Sequence, residues 1–197
     1  MEPSIDKFAT IVADPPWQYD TPGRFAKSTS SQGDTGLSGQ AACANRYDVM
    51  DLQAIKDLPI ESLAEDQSHL YLWTTNAFMV EAHEVVEAWG FKTKTILTWT
   101  KVKADGTPSM KMGFYYRGAT EHVLFATRGK ARRLKGQVGF PTAMFWPRTL
   151  HSVKPDAFYD MVEEASHGPY LELFARRRRD GWHHWGNEVE SDVEIAI

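Results

Sequence analysis

A chain of 197 residues has the length of one ordinary domain, and 42% hydrophobic residues with 12% aromatics supply enough apolar surface for a sizeable core. Cys43 is the only cysteine, which excludes an internal disulfide framework and fits a reducing cytoplasm, while the lack of a long apolar run or a signal-peptide pattern ahead of Asp14 argues against membrane insertion and export. The net charge of −4 excludes coating of nucleic acid by bulk electrostatics, yet it is unevenly spread: residues 1–90, 91–135 and 136–197 carry nets of −9, +9 and −4. A basic segment inside an acidic protein is the footprint expected of a polyanion gripped at one face.

In chain order, Thr10 to Ala13 reads as a first, buried strand. Residues 18–46 form the longest stretch without periodicity, with Gly23, Gly33, Gly36 and Gly39 among polar residues and with Arg24 and Lys27; a substrate-ordered loop is expected. A short helix follows at Asp51 to Lys56, with Asp51 near its cap, then a strand at His69 to Thr74. Thr75-Asn76 is placed to cap a helix over Ala77 to Trp89, stopped by Gly90, and Phe91 to Thr100 reads as a third strand. This βαβ unit predicts a mostly parallel sheet. Residues 101–118 form a second polar loop, with Lys101, Lys103, Lys111 and Arg117 beside Phe114, Tyr115 and Tyr116; bases interleaved with aromatics suit phosphate neutralisation and base stacking. A strand at Thr120 to Thr127, a helix at Pro155 to Ala165 and a buried strand at Tyr170 to Ala175 complete the elements, and the last strand breaks its apolar run with Glu172, which Arg176 is placed to pair.

Asp14-Pro15-Pro16-Trp17 sits at the carboxyl end of the first strand, where open α/β sheets place ligands. Two prolines supply no N–H, so the carbonyls of Asp14 and Pro15 are expected to be free to accept from a donor with two hydrogens. An exocyclic base amine fits, with Trp17 as a stacking face. His183-His184 has no accompanying carboxylate or cysteine set at metal-ligand spacing, and no metal is expected.

Asp14-Pro15-Pro16-Trp17, His151-Ser152-Val153-Lys154-Pro155-Asp156, Leu171-Glu172-Leu173-Phe174-Ala175-Arg176 and Trp185-Gly186-Asn187-Glu188 together resemble, in kind and order, the DPPW-type (METTL-like) N6-adenine methyltransferase family. That family includes the mRNA adenosine methyltransferases and bacterial, phage and eukaryotic DNA-adenine relatives. The resemblance implies a single Rossmann-like α/β methyltransferase domain over residues 1–197. Its motif order is permuted, with the amine motif first and the cofactor-side strand last, and loops 18–46 and 101–118 face the substrate. It further implies S-adenosyl-L-methionine as cofactor. Asp14, Pro15, Pro16 and Trp17 are the implied catalytic segment, and Asp14, Lys154, Glu172, Phe174, Arg176, Asn187 and Glu188 the implied cofactor contacts. Tyr47 resembles a tyrosine that closes the target pocket, and Arg24, Lys27, Lys101, Lys103, Lys111, Tyr115 and Arg117 are the expected substrate contacts. Glu121-His122 resembles a family pair expected to support the substrate loop. Arg177, Arg178 and Arg179 depart from the His-Asn pair of the mRNA-modifying members.

The expected function is transfer of a methyl group to adenine N6 in DNA by a cytoplasmic enzyme, with a homodimer as the expected assembly. An RNA adenosine methyltransferase and a non-catalytic nucleic-acid-binding member of the fold are the alternatives.

Overall fold

A computed structural model describes residues 7–18, 50–111, 115–131, 139–149 and 153–195. Its strands are β1 (Phe8–Ala13), β2 (Ala64–Thr74), β3 (Lys92–Val102), β4 (Thr120–Arg128), β5 (Ala143–Pro147), β6 (Tyr170–Leu173) and β7 (Trp182–Trp185). The helices are α1 (Leu52–Lys56), α2 (Ile60–Leu63), α3 (Met79–Ala88) and α4 (Asp156–Ala165), with a 3₁₀ turn at Asn76–Phe78. One sheet of seven strands runs β5-β3-β4-β2-β1-β6-β7. All neighbouring pairs are parallel except those of β4, which lies antiparallel between β2 and β3. The mostly parallel, Rossmann-like sheet read from the sequence is therefore present.

Alternation along the strands explains how both faces are covered. Ile11, Ala13, Leu70, Leu72, Leu124, Ala126, Leu171 and Leu173 face a core completed by Ala82, Val85, Val86 and Trp89 of the α3 segment. Val12, Tyr71, Trp73, Leu97, Trp99 and Val123 face a second core completed by Phe158, Tyr159, Met161 and Val162 of α4. Trp89 is fully buried and donates its Nε1–H to the Ile55 carbonyl at 2.9 Å, so burial leaves no orphaned donor there. Among the described residues no helix is long and apolar enough to cross a membrane.

Local signals hold in part. Asp51 caps α1 by accepting from the Ala54 N–H. Neither Thr75 nor Phe78 makes a side-chain cap bond, and the chain enters α3 through the 3₁₀ turn instead. Pro155 is the N-cap of α4 rather than its first residue. The 101–118 loop carries its own turn: Lys103 N–H donates to the Thr107 carbonyl, Asp105 accepts from Thr107, and Gly106 takes the left-handed φ of +80°.

The chain leaves β1 toward β2 on one side, and β6 fills the other side of β1. The carboxyl ends of β1 and β6 thus border a topological switch point, the crevice where open α/β sheets bind ligands.

Candidate active site

Asp14 emerges from the carboxyl end of β1 at this crevice, and its side chain is partly exposed. Its Oδ2 lies 2.9 Å from Lys154 Nζ, delivered by the segment that enters α4. The same ammonium reaches Glu121 Oε2 at 3.1 Å, and the other oxygen of Glu121 pairs with Lys101 Nζ. Lys101, Glu121, Lys154 and Asp14 therefore form a continuous row of alternating charge, drawn from β3, β4, the α4 entry and β1. Each lysine also covers a buried indole, Lys154 over Trp73 and Lys101 over Trp99, both at 4.7 Å from the ring centroid.

The protonation states follow from these partners. Burial works against the charge on Lys154, but Asp14 and Glu121 outweigh it and raise its pKa. Burial lowers that of Lys101, which has one carboxylate to oppose the effect. Burial would raise Glu121, yet the two lysines hold its carboxyl at about 2, so it stays ionised.

Pro15 is buried, and its carbonyl already accepts the Trp17 N–H at 2.8 Å across Pro16; the Pro16 carbonyl accepts from Met50 N–H at 3.3 Å. The Pro15 carbonyl, expected to be free, is therefore already engaged and keeps one lone pair for a further donor. Trp17 stacks on Phe78 with centroids 5.6 Å apart and an interplanar angle of 13°, and donates its Nε1–H to the Trp73 carbonyl at 3.2 Å. One face of the ring expected to receive a base is thus spent on anchoring the loop.

Glu172, on β6, receives the Tyr159 hydroxyl at 2.5 Å, and burial pushes its carboxyl up to about 7. The expected pairing with Arg176 is not the one formed: Arg176 faces Glu188, 3.8 Å away. Phe174, one step past β6, takes a φ of +61° and sets its ring edge-on to Trp185 at 5.3 Å. A left-handed φ at a bulky residue is an outlier of the kind held at ligand sites. Asn187 and Glu188 follow β7 and are exposed. At Gly186 a Cβ would come within 2.4 Å of the Ala175 carbonyl oxygen, so this turn packs backbone against backbone on the segment leaving β6.

The structure separates the expected substrate residues. Lys101 is only 7% exposed, within the row. Lys103, Lys111 and Arg117 are exposed on the 101–118 loop, and Tyr115 is 95% exposed. Tyr47, Arg24 and Lys27 lie outside the described residues. Lys92 and Lys94 begin β3, whereas Lys101 lies at its end and Lys103 just past it, so the basic segment is divided between opposite ends of the sheet.

Glu121 is the member whose place in the row sequence reasoning missed. The signal was available: the alternation Leu97-Trp99-Lys101 meets Glu121-Val123-Phe125, and the observed Trp99↔Glu121 register puts the two charges on the α4 face. His122, on the opposite face, bonds Asn76 Oδ1 at 2.5 Å and Thr98 Oγ1 at 3.1 Å, tying β4 to the 3₁₀ turn and to β3.

The mostly parallel sheet, with an acidic proline motif at its switch point and an ion-paired lysine ahead of α4, is a Rossmann-like methyltransferase fold. The MT-A70 family model matches residues 8–188, and the chain belongs to that family of N6-adenine methyltransferases. It is 30% identical over 195 residues to the type II methyltransferase M.MunI of Mycoplasma sp, covering 96% of this chain and 81% of that protein. It is 29% identical to the N6-methyladenosine RNA methyltransferase MTA1 of Pyricularia oryzae and 28% identical to the human N(6)-adenine-specific methyltransferase METTL4. These matches cover 94% and 92% of this chain but only 48% and 37% of those proteins.

Proposed function

We propose that the chain transfers a methyl group from S-adenosylmethionine to the N6 amine of adenine in DNA, with Asp14 as the amine acceptor. The observation that carries this reading is the Asp14–Lys154 ion pair at 2.9 Å, set at the switch point at the carboxyl end of β1. The DNA substrate is supported by the match to M.MunI, of which this chain spans four fifths. The RNA alternative is favoured by the match to MTA1.

The donor set fits the cofactor. Lys154 supplies a cation for the methionyl carboxylate, the buried Glu172 carboxyl an acceptor for its ammonium, Phe174 an aromatic surface in a constrained backbone, and Asn187 and Glu188 polar groups for ribose hydroxyls. When bound, S-adenosylmethionine would supply an electrophilic methyl group.

The residues of the chain prepare the amine. Adenine leaves its stack to reach the crevice, and one N6 hydrogen goes to Asp14, of whose oxygens Oδ2 already holds Lys154. The remaining lone pair of the Pro15 carbonyl takes the other hydrogen. Two acceptors on one amine localise its lone pair on nitrogen, the charge shift that turns a weak nucleophile into a competent one. Lys154, fixed by Glu121, keeps the Asp14 carboxylate from swinging away. Trp17, anchored through Phe78 and Trp73, holds the loop that presents these acceptors.

The test offers labelled S-adenosylmethionine with double-stranded DNA, single-stranded DNA or RNA, followed by nucleoside analysis. N6-methyladenine in DNA that disappears in Asp14→Ala, with cofactor binding kept, is the expected result. Label confined to RNA would select the alternative. Cofactor binding with no transfer to any polymer would defeat both.

A further inference from the structure

We infer that Lys101 is a positioning residue for methyl transfer rather than a phosphate ligand, acting through Glu121 to keep the Lys154 ammonium against Asp14. The inference rests on the methyl-transfer reading of the Asp14 site. Lys101 is 7% exposed, its Nζ lies over Trp99, and it bonds one Glu121 oxygen while Lys154 bonds the other. A lysine so enclosed cannot follow a nucleic-acid backbone without leaving one buried oxygen of its carboxylate unpaired, which is unfavourable.

The consequence is a balance of charge. With Lys101 present, two ammonium groups alternate with two carboxylates, and Lys154 is shared between Glu121 and Asp14. Without it, two carboxylates compete for one ammonium, and both Glu121 oxygens are released toward Lys154. The groups facing Glu121 are Lys101 from β3 and Lys154 from the α4 entry, with Asp14 of β1 behind Lys154; on its own strand His122 is engaged by Asn76 and Thr98. Lys111 adds positive potential at Lys101.

Two measurements on the full chain decide it. In the ligand-free protein, a carbon-13 NMR titration should place the Glu121 carboxyl at about 2 in the wild type, and Lys101→Met should raise it by at least about one unit. An unmoved midpoint overturns the inference. In turnover, Lys101→Met should lower kcat by roughly ten-fold or more with KM for S-adenosylmethionine within about two-fold, and it should add little in a Glu121→Gln background. A full, independent loss in that background overturns the inference, as does a fall of about one in the salt slope of DNA binding, the mark of a phosphate that is no longer neutralised. A wild type that methylates no polymer would sink the proposed function, while the titration would still decide whether Lys101 governs Glu121.

Discussion

Two buried groups, His69 and Glu172, titrate in opposite senses. Burial, with His167 nearby, lowers the His69 pKa from 6.5 to about 4, and its Nδ1 sits 2.7 Å from Ser166 Oγ, which also meets the Tyr71 hydroxyl. Its folded pKa is below the unfolded one, so its contribution is present above pH 6.5 and is lost as pH falls toward 4. Glu172 moves the other way, from 4.5 to about 7, so its contribution is present below pH 4.5 and is lost as pH rises through 7. Each shift corresponds to about 3 kcal/mol at most, and over the shared window the two slopes oppose each other, while the lowered pKa values of His122 and His184 act in the same sense as His69. Urea unfolding of Glu172→Gln should therefore show stability rising with pH between 4.5 and 6.5 more steeply than in the wild type. His69→Gln should show a slope with pH shifted downward relative to the wild type across the same window. Parallel pH dependence in the wild type and both variants would contradict the assignment.

At the scale of elements, the turn after β7 has no room to give. A Cβ at Gly186 would sit 2.4 Å from the Ala175 carbonyl oxygen and 2.6 Å from its nitrogen, both backbone atoms. Gly186→Ala should lower stability by about 1–3 kcal/mol in thermal unfolding and weaken S-adenosylmethionine binding in calorimetry, because Asn187 and Glu188 ride on this turn. Unchanged affinity would remove those residues from the cofactor's surroundings. The longer elements were legible in the residues: β1, β2 and β3 through their apolar runs, α1 through the Asp51 cap, and α4 through Phe158, Met161 and Val162. The short edge strands β5 and β7 were not. Pro147 closes β5, and His183-His184 interrupts β7, so neither carries a clean apolar pattern. The position of β4 between β2 and β3 was equally hidden, since direction and neighbour are set by long-range pairing and not by local pattern. At the site, Asp14 and Lys154 were named from their motifs, whereas their meeting through space, and the entry of Glu121 and Lys101 into the same row, depend on how four separate segments come together.

For the whole molecule, β3 carries the basic run along its length: its eleven residues set Lys92 and Lys94 roughly 20–30 Å from the 101–118 loop. Only the loop end lies on the Asp14 side. Replacing Lys111 and Arg117 by Ala should therefore reduce the salt slope of DNA binding by about 0.9 for each phosphate they neutralise, and replacing Lys92 and Lys94 should leave it unchanged. Equal effects at both ends would require nucleic acid to wrap the sheet. The pairing of β1 reaches further along the chain than any of this, because Thr10 lies opposite Tyr170. On a ribosome adding roughly 5–20 residues per second, one flank of β1 waits about 8–30 s for its neighbour to be made. For that interval the nascent protein carries an open, apolar strand edge, a target for holding chaperones and for pairing with other nascent copies, and no part of the chain released before the last parallel strands can assemble the site.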